Sequence, residues 1–197
     1  MPMIAPLTEL EAVNSILLSI GQAPVNTLSV SGLTDASVAR TKLTEVTRRV
    51  LTRGFAFNQD DDWPLAPDAD GVVLIPAGVL KVRPNDQALA VQRSHPVKGR
   101  ALWNRQERSW SFSEAVPCRI TWGFPFEELP ETARCYIATV AGRQFQARVV
   151  GSQILDRFLE EDVASAWVLL EREERAARGT NLFRNNATLA GFGSRSF

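Results

Sequence analysis

The sequence holds one histidine, His95, and only two cysteines, Cys118 and Cys135. His95 stands in a polar turn between Ser94 and Pro96, and one histidine without an activated nucleophile and an orienting acid makes no catalytic triad. Neither cysteine belongs to a CxxC pair or a Cys/His cluster, which leaves no zinc framework. Glycine loops that cradle phosphate are missing: neither GxxxxGK followed by Ser or Thr nor GxGxxG occurs. There is no surplus of charge, since 22 Lys and Arg balance 22 Asp and Glu. A neutral chain has no global field to draw nucleic acid. The longest apolar stretches fall far short of the ~20 residues that cross a bilayer. Met1 to Pro6 lacks the basic start and apolar run of a secretory leader. The expectation is a soluble chain folded in a reducing cytoplasm, with both thiols free and buried. Lysine is scarce as well; arginine, the preferred cation of protein interfaces, carries most of the positive charge.

What is present is globular: 197 residues, 45% of them hydrophobic, enough for a real core without disulfides or metals. Thr8 and Glu11 form a capping box ahead of Leu10, Val13, Leu17 and Ile20, which predicts a helix over 8–20 ended by Gly21 and Pro24. Asp35 is read as the cap of a second helix, about 35–53, with Ala39, Leu43, Val46 and Val50 on one face and Gly54 as its stop. From Phe55 to Pro125 the texture changes to short β-branched and aromatic runs between Pro, Gly and Asp turns. Candidate strands are Phe55–Asn58, Val72–Ile75, Val79–Arg83, Ala88–Gln92, Ala101–Asn104, Ser109–Phe112 and Cys118–Trp122. Pro130 and Glu131 start a third helix running to about Val150. Ser152 caps a fourth, running to about Arg178.

The fold class is therefore α+β: a helical bundle from residues 1–54 and 129–178, with an antiparallel β lobe, 55–128, inserted in sequence. Residues 179–197 form a C-terminal arm. The fourth helix carries an apolar arc too wide for a single stripe. Leu155, Leu159, Val163, Ala166, Trp167 and Leu170 make one side, and Ile154, Phe158, Val168 and Leu169 widen it. A helix this apolar is covered on more than one side. Ile154, Phe158 and Leu169 are the expected subunit-interface residues. The arm is rich in Asn, Gly and Ser yet keeps Leu182, Phe183, Leu189, Phe192 and Phe197, a composition that suits a segment ordering on a partner.

Carboxylates offer the only route to chemistry. Asp60, Asp61 and Asp62 lack the alternate spacing of a calcium loop and are read as a solvated turn. Paired with Glu127 and Glu128 they would suit glycoside cleavage, which requires a defined carboxylate separation. No catalytic, cofactor or metal residue is assigned.

Three segments, in this order and spacing, resemble one family: LEAVNSILLSIGQAPVNTL (Leu10–Leu28), RGFAFN (Arg53–Asn58) and LPETARCYIATVAGRQFQARVVG (Leu129–Gly151). They are similar to the tail tubular protein A family, head-to-tail adaptors of short-tailed phages. The resemblance implies a non-enzymatic virion protein of the tail, assembled in the host cytoplasm as a ring of twelve copies. It implies a portal protein above, a nozzle protein of the tail tubular protein B type below, and DNA passing through the lumen without sequence-specific binding. The apolar arm is then expected to dock on the portal. A tail-associated glycan hydrolase, or a different connector such as a head-completion or tail-terminator protein, are the competing readings.

Overall fold

The computed structural model describes residues 4–29 and 34–185. It is an α+β chain, with four α-helices and two small antiparallel sheets among the described residues. It divides into two compact units: Met1–Thr47 together with Pro125–Phe197, and Arg48–Phe124.

In the helical unit, α1 (Glu9–Leu18) begins at the capping box. Thr8 Oγ1 accepts from the Glu11 N–H at 3.2 Å, and Glu11 Oε2 accepts from the Thr8 N–H at 2.8 Å. Its buried face is Ala12, Val13, Ile16 and Leu17. That lies one step round from the predicted stripe, leaving Leu10 and Ile20 half-buried at the rim. α2 (Asp35–Leu51) buries Ala39, Leu43, Val46 and Val50 as their spacing predicts. Its cap is Thr34 rather than Asp35: Thr34 Oγ1 accepts from the Ser37 N–H at 3.3 Å and Ser37 Oγ from the Thr34 N–H at 3.1 Å. Asp35 becomes the first helical residue, still favoured at the positive end of the helix dipole.

α3 (Glu131–Val149) packs against both α1 and α4 (Gln153–Asn185). It is the helix covered on more than one side, burying Ala133, Ile137, Ala138, Ala141 and Phe145. Sequence reasoning gave that place to α4. Instead Leu170 is the one buried residue among α4's described side chains, at 2% exposed. α4 also continues to Asn185, past the expected stop at Arg178. Gly179 costs helix stability of order 1 kcal/mol relative to Ala. The turns leading to it are built from Ala176, Ala177 and Arg178 and carry the i,i+4 pairs Glu171–Arg175 and Glu174–Arg178. The 33-residue rod is about 50 Å long at 1.5 Å per residue.

In the β unit, Gly54 (φ 81°) ends α2 in the left-handed conformation that side chains disfavour. The predicted strand Phe55–Asn58 is a 3-10 turn, Ala56–Asn58, because Asn58 folds its side chain back onto the Phe55 N–H at 2.7 Å. Five strands follow: β1 (Gln59–Leu65), β2 (Val79–Pro84), β3 (Ala90–His95), β4 (Gly99–Asn104) and β5 (Val116–Trp122). One sheet has the order β1-β5-β2, and β3 with β4 forms a hairpin. Val72–Ile75 and Ser109–Phe112 make only isolated bridges. The first bridges Ser111 at Val72 and Ala101 at Leu74, so its partner changes along its length and no continuous ladder forms. The core joins Leu65, Val73, Val79, Leu102, Phe112 and Ile120 among others.

Candidate assembly surface

Most of the residues singled out for possible chemistry make contacts that hold the fold. Asp60–Asp62 lie on strand β1, not in a solvated turn. Asp60 accepts from the Trp122 indole at 2.7 Å, Asp61 pairs with Arg119, and Asp62 accepts from the Asn85 amide. Glu127 anchors the start of α1: its Oε1 accepts from the Glu9 N–H at 2.7 Å, and its Oε2 lies 3.6 Å from buried Arg134. Glu128 is exposed. His95 Nδ1 accepts from the Val97 and Lys98 N–H groups at 3.1 and 3.0 Å, closing the β3–β4 turn. Its ring lies edge-on to Trp110, 4.7 Å between centroids. Among the described residues no group of three or more His, Cys, Asp or Glu side chains is placed to hold a metal ion. Among the described residues no helix is long and apolar enough to cross a membrane.

Both cysteines are free thiols. Cys118 is buried, as expected, and burial pushes its thiol up to about 11. Cys135 is on the surface of α3 instead. Local desolvation of the sulfur first, and then the Glu131 carboxylate it bonds at 3.3 Å, also push it up to about 11.

The feature left over is α4. Its inner side, Leu159, Val163, Ala166 and Leu170, is half-buried to buried. Its outer side is apolar too. Ile154, Phe158, Val168 and Leu169 are 73, 63, 60 and 58% exposed. Ile154 and Phe158 stand one turn apart, and Val168 and Leu169 return to the same side three turns on. Glu161 and Asp162 sit between them, exposed and without an ion-pair partner among the described residues. Two opposed apolar sides on one helix mean that α3 covers one and leaves the other to water.

The base of α4 is fixed to α3. Arg143 donates to Asp156 through Nε at 2.8 Å and Nη2 at 3.0 Å, and its Nη2 lies 3.4 Å from Glu160. The Arg143 hydrogen bonds hold the Asp156 carboxyl below the usual carboxylate range. Gln146, wholly buried, donates through Nε2 to the Ser152 carbonyl at 3.2 Å. Its Oε1 meets no donor among the described residues. An open cavity of about 460 Å³ lies beside it, lined by Ser152, Asp156, Arg157 and Glu160.

The structure thus leaves the expected interface residues Ile154, Phe158 and Leu169 exposed on one side of α4. Sequence reasoning missed Val149 and Val150, 53 and 49% exposed at the end of α3. Their signal was an apolar pair at the helix end before Gly151. Of the expected arm, the backbone at Leu182 and Phe183 belongs to α4's last turn. Leu189, Phe192 and Phe197 lie outside the described residues.

Comparison with known proteins agrees with a structural part. The chain is 28% identical over 145 residues to the tail tubular protein A of Klebsiella phage KP34, covering 74% of this chain and 75% of that one. Residues 10–180 match the family model described as tail tubular protein. The chain therefore belongs to the tail tubular protein family, and is a structural component of a phage tail.

Proposed function

We propose that this tail protein is the adaptor between portal and nozzle, built as a closed ring, twelve copies by the resemblance, around a channel for DNA. The observation that carries the reading is the outer side of α4. Exposed large apolar groups aligned along a rigid helix are what a subunit offers before its neighbours cover them. A closed ring uses heterologous contacts, in which each copy presents two different faces. The sequence similarity to the phage KP34 protein supports the tail location. The chain's neutrality suits a lumen through which DNA slides, since phosphate binding is driven by Lys and Arg. No cofactor is needed and no catalytic role is assigned. Assembly takes place in the host cytoplasm, and the C-terminal segment, with Leu182, Phe183, Leu189, Phe192 and Phe197, docks on the portal.

The test is reconstitution. The full chain is mixed with purified portal, then with nozzle protein, and the products are weighed and imaged by negative stain. The expected result is a ring seated on the portal that then accepts the nozzle. A truncation after Asn185, which keeps α4 whole, is expected to form the ring but hold the portal more weakly. A chain that stays monomeric with and without portal would overturn the reading.

A further inference from the structure

The chain is neutral as a whole but not in its parts. The β unit, Arg48–Phe124, holds eleven Lys and Arg against eight Asp and Glu, a net charge of +3, and the helical unit holds eleven against fourteen, a net charge of −3. Several cations of the β unit are already engaged. Lys98 pairs with Asp68 and Asp70, Arg119 with Asp61, Arg100 donates to the Val79 carbonyl, and Arg93 lies over the Trp103 ring at 5.0 Å.

Lys81, Arg83 and Arg105 are different. They line one cavity of about 180 Å³ beside β2 and β3, together with the amides of Gln87 and Gln92. None of the three has a carboxylate partner among the described residues, and all three are exposed. The adjacent Asp86 is turned to its own backbone, its Oδ1 accepting from the Ala88 and Leu89 N–H groups at 2.8 and 3.2 Å. The cavity floor is apolar, with Pro84 and Ala90 buried. Three unneutralised cations and two amides around a hollow this small suit one or two carboxylate groups, with an apolar rim beside them. They make a point, not the extended stripe that a nucleic-acid backbone needs.

The complementary surface is on the same sequence. Glu161 and Asp162 are unpaired carboxylates set among Phe158, Val168 and Leu169 on the outer side of α4. We propose that the Lys81–Arg83–Arg105 pocket of one copy receives the Glu161 and Asp162 carboxylates of a second copy. This rests on the ring reading and names its charged contact. It gives the contact a direction, because acidic helix meets basic sheet and neither surface matches itself.

Charge reversal tests it on the full chain, with association measured by sedimentation and by mass photometry, with and without portal. Lys81→Glu with Arg83→Glu, and separately Glu161→Lys with Asp162→Lys, are each expected to weaken assembly at least about tenfold. The chain carrying all four reversals is expected to assemble again, because the complementarity is swapped. All four residues are exposed, and unchanged circular dichroism will confirm folding. If wild-type rings form and the reversed variants assemble equally well, this inference falls while the ring stands. If the wild type never associates, both fall. A short DNA duplex is the third arm. Duplex binding that is lost on Lys81→Glu with Arg83→Glu, with assembly unchanged, would make the pocket a phosphate site and overturn the proposal.

Discussion

Arg143 on α3 holds Asp156 on α4 by two parallel hydrogen bonds, 2.8 and 3.0 Å long. The pair spans the Gly151 turn and fixes the direction in which α4 leaves it. A planar guanidinium on a carboxylate sets angle as well as distance, which a lysine would not.

Asp156→Asn is expected to loosen the first turns of α4, read as faster hydrogen exchange across residues 153–160. The pH dependence has a defined sign. The folded-state pKa of Asp156 is lowered from an ordinary value of 3.8, so its contribution is present above that value and lost as pH falls through the folded one. The protection of these amides, taken after correction for the intrinsic slowing of exchange in acid, should therefore fall in the wild type below about pH 4. The variant's protection should be low already at neutral pH and lack that fall.

Asn58 is a second point of control. Its Oδ1 accepts from the Phe55 N–H at 2.7 Å, and its Nδ2 donates to the Leu51 and Trp122 carbonyls at 3.0 and 2.7 Å. Asn58→Ala removes the amide's bonds to the Phe55 N–H and the Trp122 carbonyl around a residue only 1% exposed, while the Leu51 carbonyl keeps the Gly54 N–H at 3.1 Å. With each buried orphan costing about 1–3 kcal/mol, a loss of roughly 2–4 kcal/mol in urea unfolding is expected, allowing for relaxation. A loss under about 1 kcal/mol would show that water replaces the amide.

Phe158→Asp separates folding from assembly. Phe158 is 63% exposed, so the substitution should change monomer stability by no more than about 0.5 kcal/mol. Assembly should suffer strongly, because an unpaired charge would be buried when the outer side of α4 is covered. A Tm loss without an assembly defect would count against α4 as an interface.

The thiols give a chemical check. Both titrate near 11, so neither is an active thiolate at pH 8. Exposed Cys135 should react with a disulfide reagent slowly, and buried Cys118 only on unfolding. In denaturant without reductant, two thiols per chain are expected; none would mean a disulfide.

Much of this was legible in the sequence. Spacing found all four helices, and the capping box at Thr8 and Glu11 is present as read. The three segments that carry the family resemblance share one structural device. Each contains an amide that fastens irregular backbone. Asn14 holds Val25 through both its N–H and its carbonyl, at 2.8 and 3.0 Å; Asn58 closes the turn after α2; Gln146 holds Ser152. What stayed hidden depends on distant partners. Periodicity shows that α4 is apolar on two sides but not which side a neighbour covers. Small residues such as Ala133, Ala138 and Ala141 carry little hydropathy signal, yet they let α3 be surrounded. The end of α4 differs because Gly179 reads as a stop in the sequence, whereas the helix runs through it to Asn185.

Asp60, Asp61 and Asp62 occupy an edge strand, since β1 pairs only with β5 in its sheet. The register slips between Asp60 and Trp63, Asp62 has a φ of 57°, and Pro64 removes a donor from the same strand. A charged, kinked and proline-bearing edge offers no template on which another chain can add a strand. In the proposed ring, copies would meet through their helix faces and not through their sheet edges. The acidic run therefore blunts a sheet edge, and replacing it with β-branched residues is expected to raise aggregation, read by light scattering.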